Sequence, residues 1–349
     1  MTKEEVRQIF ELSKENYLSN IQPSDSPTVF LFGGQGAVGK GSLILKVKEN
    51  NPSKKHIFSI NGDNYRVEHP QHKELASNPE TYSEKTQIFS SVFTEGFIEE
   101  SMAHRLDVCV EGTMRNPDTP FKTAAKYKEN GYRAEAYVIA APKEFSSLNL
   151  YTRYANEVVK GKTARLADKR SHDLAVDGLP VSLDYLYNEK ILDAIHIYNC
   201  FSKREIAAYH LENGKWDNAM LPSLVVSQTR EEQKTDIETI CDLIERSRQI
   251  DRIKLSEAII EEVKKARKDL LSLLAKDQKP SKVFELKDRT LAVRLPDSET
   301  SKRLNSQEIT LYNMFKGKEE ESLLLSALTR IHQNSDLNRQ VSIQQSFKR

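Results

Sequence analysis

The chain has 349 residues, 38% of them hydrophobic and 30% charged, with 52 Lys and Arg against 51 Asp and Glu. That length suits one α/β domain plus an appendage of about a hundred residues. A net charge of +1 argues against a chain that coats nucleic acid, and no apolar run approaches the roughly 20 residues that cross a bilayer, so neither nucleic acid nor a membrane is expected as a partner.

Residues 2–21 read as a helix, with Thr2 as N-cap, Glu4 and Glu5 in the first turn, and Val6, Phe10, Tyr17 and Leu18 as an apolar stripe. The start does not read as a signal peptide, and a cytoplasmic location is expected. Pro23 and a turn at 24–27 precede the stretch TVFLFGGQGAVGKGS at 28–42. There an apolar strand of Val29, Phe30, Leu31 and Phe32 enters a glycine loop, and a helix follows through Leu43, Ile44 and Leu45. Strand, glycine loop, lysine and helix make the P-loop arrangement. Glycines let successive N–H groups curl around a phosphate, the helix N-terminus adds a favourable field, and Lys40 adds a positive point charge. The candidate ATP-binding run is therefore Gly34-Gln35-Gly36-Ala37-Val38-Gly39-Lys40-Gly41-Ser42. One position departs from the pattern: Gly41 stands where a Ser or Thr hydroxyl would hold Mg²⁺. Ser42, one residue later, is the candidate metal ligand in a shifted loop; the alternatives are a water in that place or weak magnesium binding.

Further strands are expected at 56–60, 107–110, 133–141 and 194–200, with helices at 42–48, 84–105, 120–129, 144–159 and 182–192. The alternation implies an α/β fold, a P-loop kinase-like parallel sheet flanked by helices, with right-handed crossovers. Ligands in such sheets sit beyond the carboxyl ends of the strands, which points to the glycine loop, Asp63, the segment from Glu111 to Arg115, and the segment after Ala141. Cys109, Cys200 and Cys241 are far apart, without metal-type spacing, and read as reduced core thiols.

After about residue 227 the chain becomes strongly charged and mainly helical. Ile237, Ile240, Cys241 and Ile244 make one stripe, and Ile259, Val263, Ala266, Leu270 and Leu274 another. Residues 283–295 read as a small hairpin and 308–332 as a helix, and the polar end from about Gln333 is expected to be disordered. The expected division is an N-terminal helix at 1–24, a P-loop domain at 25–227 and a helical region at 228–349.

The polar residues at the strand ends leave several roles open. Asp63 reads as a general base towards an attacking hydroxyl, as a helix cap, or as a metal ligand. Glu111 suits a metal-bound water or a substrate hydroxyl. Thr113 and Arg115 read by themselves as ordinary loop polarity. Arg153 and Arg165 suit a lid over transferring phosphate, although an arginine on a charged helix is by default a solvated one.

In order and with similar gaps, SPTVFLFGGQGAVGKGS, INGDNYRVEHPQHKEL, the EGT-x-R segment with its long tail to APK, LYTRYANEV and TARLADKRSHDLAVDGLP resemble the zeta toxin family over about 26–199. The match includes His69-Pro70 after the aspartate. The resemblance implies a P-loop kinase of a toxin–antitoxin system that transfers the γ-phosphate of ATP to the 3′-hydroxyl of the sugar of UDP-N-acetylglucosamine, with Mg²⁺ as cofactor and an antitoxin as partner. It implies Lys40 as the P-loop lysine, Asp63 as the catalytic base, and Glu111, Thr113 and Arg115 as substrate-binding residues. It offers Glu95 as a candidate for a further substrate contact, with Glu100 a weaker one, and implies Arg153 and Arg165 as the arginines acting on the phosphates, the second of them before His172-Asp173. Two other readings stay open: a kinase with a nucleoside, NAD or polynucleotide acceptor, and a nucleotide-binding or interaction protein that Gly41 has disabled. The region from 228 does not resemble the family core, and it suits antitoxin binding, built-in inhibition or delivery.

Overall fold

The computed structural model describes residues 1–346 apart from 20, 55, 163 and 297, with side chains described as far as 335. The chain clusters into two units, Met1–Ser146 with Lys160–Gln233, and Ser147–Val159 with Lys234–Arg349.

The strands of the first unit are β1 (Thr28–Gly33), β2 (Phe58–Ile60), β3 (Val108–Glu111), β4 (Arg133–Ala140), β5 (Ala194–Asn199), β6 (Glu205–Glu212) and β7 (Lys215–Trp216). Among the described residues they form a seven-stranded sheet in the order β2-β3-β1-β4-β5-β6-β7. The pairings from β2 to β5 are all parallel. β1 is paired on both sides, and all six of its residues are buried, which is why it reads as a continuous apolar run. β6 and β7 add antiparallel edge strands that the sequence pattern did not show. The physical reason is the short link at 200–204, which is too short for the crossover a parallel neighbour needs.

The helices are α1 (Lys3–Leu18), α2 (Lys40–Asn50), α3 (His72–Ala76), α4 (Pro79–Lys85), α5 (Gln87–Ala103), α6 (Asp118–Glu129), α7 (Lys143–Val159), α8 (Lys169–Glu189) and α9 (Pro222–Gln233). A capping box between Thr2 and Glu5 starts α1. Phe10 of α1 is fully buried and meets Phe93 and Phe97 of α5 edge-on, with ring centroids 5.3 Å and 4.9 Å away. The ring lies over Gly96, where an added Cβ would sit 2.5 Å from Phe10 Cζ. Lys14–Glu100 (2.7 Å) and Arg7–Glu99 (3.0 Å) ion pairs hold the polar edge of the same contact.

The helix expected at 182–192 begins much earlier, at Lys169, and runs through Pro180. A mid-helix proline leaves the carbonyl four residues back without its donor. Here that carbonyl, Val176 O, accepts a hydrogen bond from Arg230 Nη1 of α9 at 3.0 Å. A side chain from another helix therefore replaces the missing backbone donor, and the helix continues.

The second unit contains α10 (Ile237–Arg246), α11 (Glu257–Ala275), α12 (Ser306–Phe315) and α13 (Glu321–Ser346). Strands β8 (Lys282–Glu285), β9 (Leu291–Arg294) and β10 (Ser301–Arg303) form an antiparallel sheet in the order β10-β9-β8. The two expected stripes are the buried faces of α10 and α11. The polar end is not irregular as expected: α13 runs past Gln333 to Ser346, and residues 347–349 lie outside the described ones. Once Leu324, Ala327 and Leu328 pack its first turns, each added residue contributes a backbone bond at low cost, and no Gly or Pro interrupts it.

The three cysteines are buried, and burial pushes the thiols of Cys109 and Cys241 up to about 12. Among the described residues no helix is long and apolar enough to cross a membrane. Replacing Gly96 by Ala drives a methyl group into the Phe10 ring, and we expect a loss of about 1–3 kcal/mol. Urea unfolding measures it, and an unchanged midpoint would mean that α1 does not depend on this contact.

Candidate active site

Four segments converge at the carboxyl ends of the parallel strands. The first is the loop between β1 and α2. Gly34 has φ of 137° and Gly39 a φ of 86°, so glycine supplies the left-handed backbone that an L side chain would strain. Lys40 opens α2 and is nearly buried. Its ammonium donates to Gly34 O at 2.9 Å and Gln35 O at 3.1 Å, and it lies 3.8 Å from Glu111 Oε1. Gly41 is exposed, and a Cβ added there would meet nothing within 4 Å. Ser42 is exposed one residue further along α2, about 100° around the helix.

The second segment follows β2. Asn61 caps the 3-10 turn Gly62–Glu68 by accepting from Asp63 N at 3.0 Å, and it donates to Glu111 Oε2 at 2.7 Å. Asp63 Oδ1 accepts from Arg66 Nε at 2.9 Å and from Arg165 Nη1. Arg165 also donates to Ser83 Oγ at 2.7 Å. Arg66 is buried and donates to Ser83 O, Thr86 Oγ1 and Gln87 Oε1. Burial lowers its pKa, and Asp63 opposes that shift.

The third segment continues β3. Glu111 is half-buried, Thr113 half-buried and Arg115 exposed. Arg115 donates to Ser171 Oγ at 3.2 Å. Its backbone presses on α8 at Gly178, where an added Cβ would lie 2.0 Å from Arg115 O.

The fourth segment follows β4 and fixes the glycine loop from below. Gln35 is fully buried, and its Nε2 donates to Ala141 O at 2.9 Å and Ser146 Oγ at 3.2 Å. His172 Nε2 lies 2.8 Å from the same hydroxyl, and its Nδ1 lies 2.8 Å from Asp173 Oδ1. Burial holds the His172 pKa below its ordinary value. Burial would raise the Asp173 carboxyl, but hydrogen bonds from Lys169 and His172 bring it down to about 2.

Lys40, Glu111, Asp63 and Arg165 are thus joined through Asn61 in one chain of polar contacts. Thr113 and Arg115 lie on the segment that continues from Glu111. Glu95 is exposed on α5 with no side-chain hydrogen bond or ion pair among the described residues. Glu100 is engaged by Lys14 and lies 3.5 Å from His104. Arg153 is exposed on the part of α7 that belongs to the second unit. Sequence reasoning missed Asn61, Arg66, Ser146 and Gly178. Asn61 carried a signal, an Asn-Gly pair directly after a strand. Arg66 meets Asp63 three residues away and Ser83 17 residues away, Ser146 meets His172 26 residues away, and Gly178 meets Arg115 of another segment.

A parallel sheet with a glycine loop and lysine between its first strand and helix defines a P-loop kinase-like protein. The family model for zeta toxins matches residues 14–214, more than half of the chain, and the chain belongs to the zeta toxin family. It is 33% identical to toxin zeta of Enterococcus hirae over 177 residues, which is 50% of this chain and 61% of that protein. It is 32% identical to toxin zeta of Streptococcus pyogenes over 187 residues, 53% of this chain and 64% of that protein. The matches therefore span less than two thirds of these two relatives. A solved chain from the PezAT chromosomal toxin–antitoxin system of Streptococcus pneumoniae shares the fold, with a TM-score of 0.55 at 22% identity over 79% of this chain and 98% of that one.

The His172 shift has a definite sign. With its folded pKa held below the unfolded value of about 6.5, the stabilisation is fully present above that value and lost as pH falls through the folded pKa. We expect stability to drop between about pH 7.5 and about pH 5, and to drop less in His172→Gln. Unfolding curves at the two pH values measure this, and equal drops would show that His172 does not set the dependence.

Proposed function

We propose that the chain is an ATP-dependent kinase of toxin type, which transfers the γ-phosphate to the 3′-hydroxyl of the sugar of UDP-N-acetylglucosamine. The observation that carries the kinase reading is the continuous contact chain Lys40–Glu111–Asn61–Asp63–Arg165 at the carboxyl ends of β1, β2 and β3. It sets a phosphate-binding lysine and a candidate base on one scaffold. The acceptor rests on the family resemblance of the segments that carry Glu111, Thr113 and Arg115.

In this reading the N–H groups of the glycine loop and the start of α2 take the phosphates, and Lys40 supplies positive charge. Asp63 accepts the proton of the attacking hydroxyl, while Asn61 holds its backbone N–H and Arg66 its carboxylate in place. Arg165, beside that carboxylate, acts on the equatorial phosphoryl oxygens as negative charge gathers there. Arg153 is proposed for the same work. Glu111 and Thr113 receive the sugar hydroxyls, and Arg115 and Glu95 complete the acceptor contacts.

Ser42, exposed in the first turn of α2, offers a hydroxyl, a hard oxygen ligand of the kind Mg²⁺ takes alongside substrate phosphates. Among the described residues no group of three or more His, Cys, Asp or Glu forms a metal cage. Bound Mg²⁺ would neutralise charge on the β- and γ-phosphates.

An antitoxin partner is proposed because the relatives are named toxins and the solved relative comes from a toxin–antitoxin system. The region from 228 is proposed for its contact, for built-in inhibition or for delivery, and the reaction for the cytoplasm. A second reading, nucleotide binding without efficient transfer, is favoured by one observation, Gly41 in place of the magnesium-holding hydroxyl.

Two variants test these readings, with products followed by mass spectrometry over UDP-sugars, nucleosides and NAD. Asp63→Asn should lower kcat by about 10²–10⁴-fold and leave ATP affinity within about twofold. Near-normal turnover would remove Asp63 as the base. Gly41→Ser adds a hydroxyl where space is open, and if weak metal binding limits the protein, its Mg²⁺-dependent rate should rise about tenfold. An unchanged or lower rate would reject the disabled reading.

A further inference from the structure

A cation that the family motifs do not include reaches the glycine loop from outside. Lys203 lies in the β5–β6 link at 200–204, at the carboxyl end of the last parallel strand. Its ammonium donates to Val38 O at 2.8 Å and to Cys200 O at 2.6 Å. The first of these is a carbonyl of the glycine loop, and it is 165 residues away in sequence. An added Cβ at Gly39 would lie 2.6 Å from Lys203 Nζ and 3.2 Å from Cε. The ammonium thus lies directly against Gly39, where the φ of 86° is what requires glycine.

The link is built to present that side chain. Lys203 has φ of 54°, a left-handed conformation unusual for a non-glycine residue. Asn199 Oδ1 holds the turn by accepting from Phe201 N at 2.8 Å and Ser202 N at 3.0 Å. Lys203 N bonds back to Asn199 O at 3.2 Å. From the other side, Lys46 of α2 donates to Lys203 O at 2.7 Å. The loop and the helix that follows it are thus both tied to one residue of the β5–β6 link. Burial lowers the Lys203 pKa, with Cys200 opposing.

A phosphate-binding loop works by turning its N–H groups inward and its carbonyls outward. Val38 O is a carbonyl of that loop, and an ammonium bound to it favours the orientation. It also places a half-buried positive charge beside a site for a polyanion, where screening is weaker than at the surface. We propose that Lys203 is a positioning residue of the nucleotide site, which clamps the outer face of the glycine loop through Val38 O and so sets the affinity for the phosphates of ATP. This rests on the P-loop reading above.

The test measures ATP and ADP binding by calorimetry on the full chain, together with melting temperature without nucleotide. Lys203→Met should weaken both nucleotides by about tenfold or more, as expected when a charge-assisted bond that organises a binding loop is lost. Lys203→Arg, which keeps charge and donors, should recover at least half of the loss on a logarithmic scale. Lys46→Met, which frees the carbonyl of Lys203 and leaves its ammonium, should weaken binding by a smaller factor, about threefold. A Lys203→Met protein that melts lower but binds ATP as tightly as the wild type would reduce Lys203 to a turn staple and overturn the inference. If Lys203→Met does not fold, unchanged ATP affinity in Lys46→Met overturns it. Wild-type protein that binds no ATP would overturn the P-loop reading itself, and this inference with it.

Discussion

β1 is the constraint on which the rest depends. Its six residues are buried, Val29 to Phe32 pair with strands on both sides, and Gly33 at its carboxyl end pairs with β4. Gly112 N donates to Phe32 O at 2.9 Å, which extends the pairing with β3 into the Glu111 segment. The glycine loop leaves the sheet from this fixed point. Side chains that must meet a common ligand gain most from such rigid support, because errors in their mutual placement are costly to catalysis.

Around that point the first unit uses polar contacts where an apolar core cannot reach. Asn61 joins Glu111 to the Asp63 turn, Arg66 anchors the turn to α4 and α5, and Gln35 joins the loop to Ser146 and His172. These groups are buried or half-buried, so each lost partner would leave an unpaired polar atom. The same reasoning explains α8: Pro180 would break it if Arg230 did not satisfy Val176 O.

Both catalytic candidates that carry charge in the centre, Lys40 and Asp63, have opposite charges close by. Lys40 has Glu111, and Asp63 has Arg66 and Arg165. These five groups leave one positive charge in excess, which suits a site for phosphates. Gly41 is the position where the site departs from the P-loop pattern, and backbone geometry does not demand it: no positive φ and no crowding require glycine there.

The sequence by itself determined the parallel core of the sheet, the glycine loop and the polar ends of β1, β2 and β3. Those features come from local patterns: apolar runs buried on both faces, glycines at positive φ, and charged residues directly after strands. The family was legible for the same reason, since its motifs are short and contiguous. Tertiary structure decided the rest. It alone brought Arg165 to Asp63 across about a hundred residues, set Gly178 against Arg115, and carried α8 through Pro180. It turned β6 and β7 antiparallel and kept α13 helical beyond Gln333. These outcomes depend on partners far away in sequence or on cooperative extension from packed turns, and neither leaves a mark in local composition.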